Sequence, residues 1–503
     1  MAGDNILVID AGTTSTRAML FGLDGTCHGV AQRELSQQYP RAGWVEHDAD
    51  EIWRLSLRCA QRMAVKAGGW ERIATIGITN QRETIVFWSK RTLKPLAPAI
   101  VWQDRRTADF CARLKEQGEE PALQAKTGLL LDPYFSASKI AWALEHWPQL
   151  RESGDDLAVG TVESWLIYKL TKSGRHITDA TNASRTALMD IHTGRWDEGL
   201  CDLFGVPLKA LPEIVDCAGD FSGTRQLGGP IRISGMAGDQ QAAAIGQGCF
   251  APGETKATYG TGAFVLTHTG TQAPVSQNRL LTTVAWQIGG ERRYALEGSV
   301  FVAGSLFQWL RDSLGLIAHS AESEELARSV EGNEGVYLVP ALSGLGAPHW
   351  RPDARAAISG LSFSATRAHV VRAALEAQAH QTHDLMTAFA GDGAAWECLR
   401  IDGGMAANDW LAQDLADILG LEVERPAFIE TTALGAAMLA GVGAGLFGSL
   451  EEAAAMRGAV ASFAPAMEEK ARAQRLAGWR GAVAGVLDSG LARASQNPTN
   501  STA

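Results

Sequence analysis

The chain has 503 residues, 46% of them hydrophobic and 20% charged, with a formal net charge of −11. Single cores stop growing near ~250–300 residues, so at least two domains are expected, and a composition this ordinary excludes a wholly disordered chain. No basic stripe invites nucleic acid, and seven scattered cysteines without a Cys-x-x-Cys argue against a disulfide framework or a thiolate zinc site.

The first element is a hairpin. Residues 6–10 form an apolar, β-branched run; Gly12-Thr13-Thr14-Ser15 is turn chemistry; residues 17–21 resume as a strand before a turn at Asp24-Gly25. No signal-peptide pattern precedes this hairpin, which makes the cytoplasm the expected compartment. Residues 50–67 carry Ile52, Leu55, Cys59 and Met63 at helical spacing. A strand over 73–79 leads into Asn80-Gln81-Arg82-Glu83. Strands and helices keep alternating, which places the chain in the α/β class. A second strand–glycine turn–strand unit follows at 255–267, around Gly260-Thr261-Gly262, and a third glycine turn at Asp402-Gly403-Gly404. This recurrence predicts two related α/β domains, residues 1–247 and 248–490, meeting near 246–252 around a central cleft, then a flexible tail over 491–503. The uncharged stretch 431–450 is long enough to span a bilayer. Its five glycines, Gly435, Gly441, Gly443, Gly445 and Gly448, instead predict a closely packed buried helix with a glycine-rich end.

Several motifs have both a functional and a plain reading. Gly-x4-Gly-Lys-Ser/Thr is absent, which excludes a P-loop enzyme. The single Gly-x-Gly-x-x-Gly, at Gly443, Gly445 and Gly448, follows a helical pattern and reads as a helix–helix turn, with Ser449 and Glu452 forming a capping box. Glu376, His380 and His383 share one helical face, a metal-binding pattern that is more often a polar or partly buried face. The hairpin at Asp10-Ala11-Gly12-Thr13-Thr14-Ser15 is either a plain polar turn or a phosphate cradle. Glycine admits close approach, hydroxyls and N–H groups bind phosphate oxygens, and a carboxylate holds hydrated magnesium. Asp239, in Gly238-Asp239-Gln240-Gln241, is a helix cap, a general base, or both. The adjacent Arg82 and Glu83 form either a surface ion pair or the donor–acceptor set that neighbouring hydroxyls of a polyol require.

Taken together, these residues and the strings Gly43-Trp44-Val45-Glu46-His47-Asp48, Val101-Trp102-Gln103, Asp132-Pro133-Tyr134-Phe135-Ser136, Thr181-Asn182-Ala183-Ser184-Arg185-Thr186 and Glu297-Gly298-Ser299 resemble the FGGY carbohydrate kinases over most of the chain. The resemblance implies two ribonuclease-H-like domains of the actin-like ATPase fold around a cleft. It implies ATP-dependent phosphorylation of a small polyol, above all glycerol to sn-glycerol 3-phosphate, with ATP and Mg2+ as cofactors. By the same resemblance Asp239 is the catalytic base, and Arg82, Glu83, Trp102, Tyr134, Asp239, Gln240 and Phe264 bind the polyol. Thr13, Thr14, Ser15, Arg17, Thr261, Gly304, Gln308, Gly404 and Asn408 bind the nucleotide, and Asp10 and Asp239 flank the metal. A kinase for another polyol or ketose is the near alternative; a non-kinase actin-like ATPase is the distant one, since fold alone permits it. Neither nucleic acid nor an integral membrane segment is expected, and a homo-oligomer, dimer or tetramer, stays open. Two departures bear on regulation. Ala11 stands where many relatives have Gln, and Gln226–Arg232 lacks the glycine–arginine loop through which some members bind fructose 1,6-bisphosphate.

Overall fold

The computed structural model describes residues 3–172, 175–351 and 353–496, with side chains to 489. The first half is built on a six-stranded sheet. Its main strands are β1 (Asn5–Ala11), β2 (Ser15–Gly22), β3 (Cys27–Glu34), β4 (Ile73–Asn80) and β5 (Ile231–Gly238). They lie in the order β5-β4-β1-β2-β3, with the short strand Gly223–Thr224 outside β5. The hairpin pairs are antiparallel, whereas β4 and β5 are parallel to β1 and to each other. The second sheet contains β6 (Glu254–Tyr259), β7 (Ala263–Gly270), β8 (Leu281–Ile288), β9 (Glu291–Val300), β10 (Cys398–Asp402), β11 (Val423–Pro426) and β12 (Val460–Phe463). Its central order, β9-β7-β6-β10-β11, repeats that of the first sheet, again with the middle pair parallel. The recurrence predicted from the glycine turns is thus a repeated sheet topology. The turn at Asp402 differs from the other two: it leads into a 3₁₀ turn and a helix (Asp409–Leu419), not a returning strand.

Both faces of the first sheet are buried, which explains why β1 reads as a continuous apolar run. Leu7, Ile9 and Ala11 face α1 (Ala49–Lys66), whose Ile52, Leu55, Cys59 and Met63 are buried as their spacing predicts. The alternate residues Ile6 and Val8 join a different core. That core lies against two helices, α3 (Asp239–Gly246) and α7 (Thr431–Gly443); α2 (Ser136–His146), α4 (Gly304–Asp312), α5 (Arg367–Gly391), α6 (Asp409–Leu419) and α8 (Glu469–Gln496) complete the main helices. The second sheet packs one face on α5 through Val371, Leu375, Leu385 and Phe389. Its other face contributes Leu266, Ala285 and Ala295 to the core shared with Ile6 and Val8.

The helix α7 belongs to the second half of the chain, yet it packs on β1, β4 and β5 of the first sheet. Glycine makes this contact possible. A Cβ on Gly435 would strike the Ala242 carbonyl of α3, and one on Gly246 would strike the Thr431 carbonyl of α7. The two backbones therefore cross at a separation only glycine allows. The glycine-rich stretch is the packed helix expected from sequence, and among the described residues no helix is long and apolar enough to cross a membrane. Past α7, Ser449 Oγ accepts the Glu452 N–H at 3.2 Å and starts a short helix, which is half of the expected capping box; the Glu452 carboxylate accepts the Gly448 N–H at 2.6 Å in place of that of Ser449. The last helix extends to Gln496, so the first part of the segment expected as a flexible tail is helical; residues 497–503 lie outside the described residues.

Candidate active site

The site is assembled at the carboxyl ends of parallel strands, where an open α/β sheet offers a crevice. β1 ends at Asp10-Ala11, β4 at Asn80 just before Arg82 and Glu83, and β5 at Gly238 just before Asp239, with Ala11 and Gly238 both in register with Asn80. In the second sheet, β6 delivers Thr258 and Tyr259 beside Asp402 of β10. Glu83 adopts a positive φ of 60°, a strained conformation for a non-glycine residue that aims it back into the fold.

Arg82 is the centre of the polar cluster and is buried. Its guanidinium donates to both oxygens of Glu297, at 2.6 and 3.1 Å, and to Gln241 Oε1 at 3.2 Å. Its Nε lies 3.3 Å from Asp239 Oδ1, and its Nη2 is 3.4 Å from the Tyr134 hydroxyl. Glu83 is held by Arg185, which donates to it at 2.6 Å and to Glu297 at 2.8 Å. Two buried arginines thus face two buried carboxylates. Burial opposes ionisation of Glu297, but Arg185 and Arg82 outweigh it and hold the carboxyl down at about 2. At Glu83 burial wins and the pKa is raised, with Arg82 and Arg185 opposing.

Apolar walls flank this cluster. The Trp102 ring meets Tyr134 edge-on at 5.6 Å and Phe264 at 6.4 Å. Its indole N–H donates to Thr13 Oγ1 at 2.9 Å, which ties the wall to the phosphate-type hairpin. Asp239 is the first residue of α3; Gly238 takes the cap position. Its Oδ1 accepts the Gln240 N–H at 2.7 Å. Burial raises its pKa, Arg82 and Lys256 pull it back, and the Asp10 carboxylate raises it further. Asp10 is paired with Arg17 at 2.6 Å, and Arg17 also reaches Glu430 at 2.6 Å. Burial raises the Asp10 pKa and Arg17 opposes that. The Gln240 side chain accepts from the buried Lys256, which also donates to Thr258 Oγ1 at 3.0 Å. Gln240 is therefore engaged by Lys256, whereas its neighbour Gln241 accepts from Arg82.

A cavity of about 450 Å³ opens in the second half. Thr261, Gly304, Gln308, Gly404 and Asn408, all expected at a nucleotide, line it together with Phe307. Gly403 has φ 87°, which lets the turn pass close to Tyr259, and Gly404 leaves its side of the cavity open. Asn408 also caps α6 by accepting the Leu411 N–H at 2.9 Å. Thr13, Thr14, Ser15 and Arg17 of the first hairpin do not line this cavity. Glu376 and His380 of the helical trio have packing partners instead. Arg372 donates to Glu376 at 2.9 Å, and the His380 ring stacks on Trp479 at 5.2 Å.

Sequence reasoning gave no role to Glu297, Arg185 or Lys256. Glu297 and Arg185 were present in the strings that carry the resemblance, yet their partners are 215 and 102 residues away. Lys256 sits in the strand Glu-Thr-Lys-Ala-Thr-Tyr, whose mixed polar composition gave no sign that the lysine is fully buried.

The N-terminal domain of the FGGY family of carbohydrate kinases matches residues 5–246 and its C-terminal domain matches residues 255–444. The chain belongs to this family. It is 53% identical over 485 residues to a glycerol kinase of Gluconobacter oxydans, covering 95% of each chain. It is equally identical over 487 residues to one from Alcanivorax borkumensis, covering 96% of this chain and 98% of the relative. Among solved structures, a Plasmodium falciparum glycerol kinase with ADP superimposes with a TM-score of 0.92 at 37% identity, over 97% of this chain and 99% of that one. The repeated sheet order is the two-domain fold of these kinases.

Proposed function

We propose that this chain transfers the γ-phosphoryl group of ATP to glycerol, giving sn-glycerol 3-phosphate and ADP. The observation that carries the reading is the joining of Arg82, Glu83, Tyr134 and Asp239 in one cluster edged by Trp102 and Phe264. A three-carbon polyol presents hydroxyls along one edge and C–H groups on its faces. The charged cluster matches the first and the aromatic rings the second. The names of the curated relatives and of the ADP-bound structure agree with this assignment.

Asp239 accepts the proton of the attacking hydroxyl as the new O–P bond forms and the bond to the ADP oxygen breaks. Burial favours its taking up that proton, while Arg82 and Lys256 keep it available as a carboxylate beforehand. The 450 Å³ cavity receives the nucleoside, and the N–H and hydroxyl groups around Thr13–Ser15 and Thr261 stabilise charge on the phosphoryl oxygens. The mutually repelling carboxylates of Asp10, which is buried, and Asp239, which is half-buried, suit a divalent cation. Bound there with ATP, magnesium would supply charge neutralisation for the phosphates.

The test is ADP release across glycerol, dihydroxyacetone, erythritol, xylulose and gluconate. The highest kcat/KM is expected with glycerol. Preference for a ketose or a longer polyol, or ADP release independent of any of them, overturns the assignment.

A further inference from the structure

Lys139 lies in the first turn of α2 and is fully buried. Its ammonium donates to three successive backbone carbonyls, those of Pro133 at 2.7 Å, Tyr134 at 2.5 Å and Phe135 at 3.2 Å. All three ammonium N–H groups are therefore used. Among the described residues no carboxylate forms an ion pair with it. Two effects oppose a cation here: burial, with no carboxylate in direct contact, and a helix N-terminus, which favours negative charge. Burial accordingly lowers the Lys139 pKa to about 8.

The bonds it makes define the turn that carries Tyr134. In the same segment, Asp132 Oδ1 accepts the Tyr134 N–H at 2.8 Å, and Ser136 Oγ donates to the Glu83 carbonyl at 3.1 Å. The turn thereby sets Tyr134 relative to Arg82, Glu83 and Trp102. We propose that Lys139 is a positioning residue for the polyol: its ammonium clamps the carbonyls of residues 133–135 so that the Tyr134 ring and hydroxyl stay in the pocket. This rests on the placement of Tyr134 at the polyol. The ammonium is faced by the carboxylates of Glu83, Asp104 and Asp132 and by the Cys111 thiol, whose pKa burial pushes up. A neutral amine has one N–H fewer, so deprotonation loosens the clamp.

The test compares the full-length native chain with Lys139→Met and Tyr134→Phe, measuring kcat and both KM values from about pH 6.5 to about pH 9.5. Lys139→Met should raise the KM for glycerol by about tenfold or more and leave the KM for ATP within about twofold. In the native chain the KM for glycerol should rise as the pH passes about 8, and this rise should be absent in Lys139→Met. A merely structural role would lower the active fraction without separating the two substrates. If Tyr134→Phe raises the glycerol KM and Lys139→Met does not, the clamp is wrong and the pocket assignment stands. If neither changes it, the placement of Tyr134 fails and the clamp fails with it. Should Lys139→Met not fold, the native profile decides: a flat glycerol KM across that range overturns the proposal.

Discussion

Asp239 begins a helix, lies 3.3 Å from Arg82 and has a pKa raised by burial, so one carboxylate combines a structural position with proton affinity. Asp239→Asn keeps the size and the acceptor for the Gln240 N–H but cannot take a proton. It should lower kcat by about 10²-fold or more, with both KM values within about fivefold; steady-state kinetics with near-native turnover would reduce Asp239 to a helix residue. The fully buried carboxyl of Glu163 sets a pH dependence of stability. Glu163 Oε1 accepts from Thr161 and Thr178, while Oε2 has no hydrogen-bond partner among the described residues. Burial and the nearby Asp179 push its pKa up. A pKa raised on folding means the folded state holds the proton more tightly. Its contribution is therefore fully present below the ordinary carboxylate range and is lost as pH rises through the raised value. Glu163→Gln keeps an acceptor for the two threonines and carries no charge. Relative to native, it should gain at least about 1 kcal/mol in urea unfolding between pH 5 and pH 9. A constant difference across that interval would refute the assignment.

At the level of elements, the α3–α7 crossing is set by glycine. Gly435→Ala places a methyl against the Ala242 carbonyl, where only a shift of backbone relieves the clash. The expected loss is about 3 kcal/mol, the upper end for overpacking, because no flexible side chain can yield. Thermal melts showing an unchanged Tm would contradict the close approach. The stretch Gln226–Arg232 has its own structural account. Gln226 donates to the Lys169 carbonyl at 2.7 Å, and Gly229 lies so close to Trp70 that a Cβ there would enter the indole. Within this stretch Pro230 has neither charge nor N–H. Fructose 1,6-bisphosphate should therefore not inhibit at sub-millimolar concentration. Initial rates at saturating ATP, with free magnesium held constant, check this; half-inhibition below about 1 mM would mean that another basic group binds the bis-anion.

For the whole molecule, the two halves are joined through a shared core. Ile6, Val8, Met19 and Phe21 pack with Leu434, Met438 and Leu439 of α7. A chain ending at residue 247 lacks α7 and exposes that face of its sheet. It should aggregate or remain loosely packed when expressed alone, and give a native-like protein when co-expressed with residues 248–503. A soluble 1–247 fragment with a cooperative melt would show that the halves are independent. The buried Glu297 contact with Arg82 and Arg185 adds a second link at the pocket itself.

The hairpins, the packed glycine-rich helix and the strand ends bearing Asp10, Arg82 and Asp239 were legible in the sequence alone. Each is governed by sterics or periodicity over a few residues: glycine at tight turns, alternation in strands, apolar spacing in α1. The pairing of buried charges was not legible. Arg82 and Glu297 are 215 residues apart, Arg17 and Glu430 are 413 apart, and only the folded topology brings them together. The Lys139 clamp is local in sequence yet was equally hidden, because a lysine in a helix is ordinarily solvated. Tertiary structure alone decided that this one is sealed from water, and a buried ammonium must spend its donors on the carbonyls within reach.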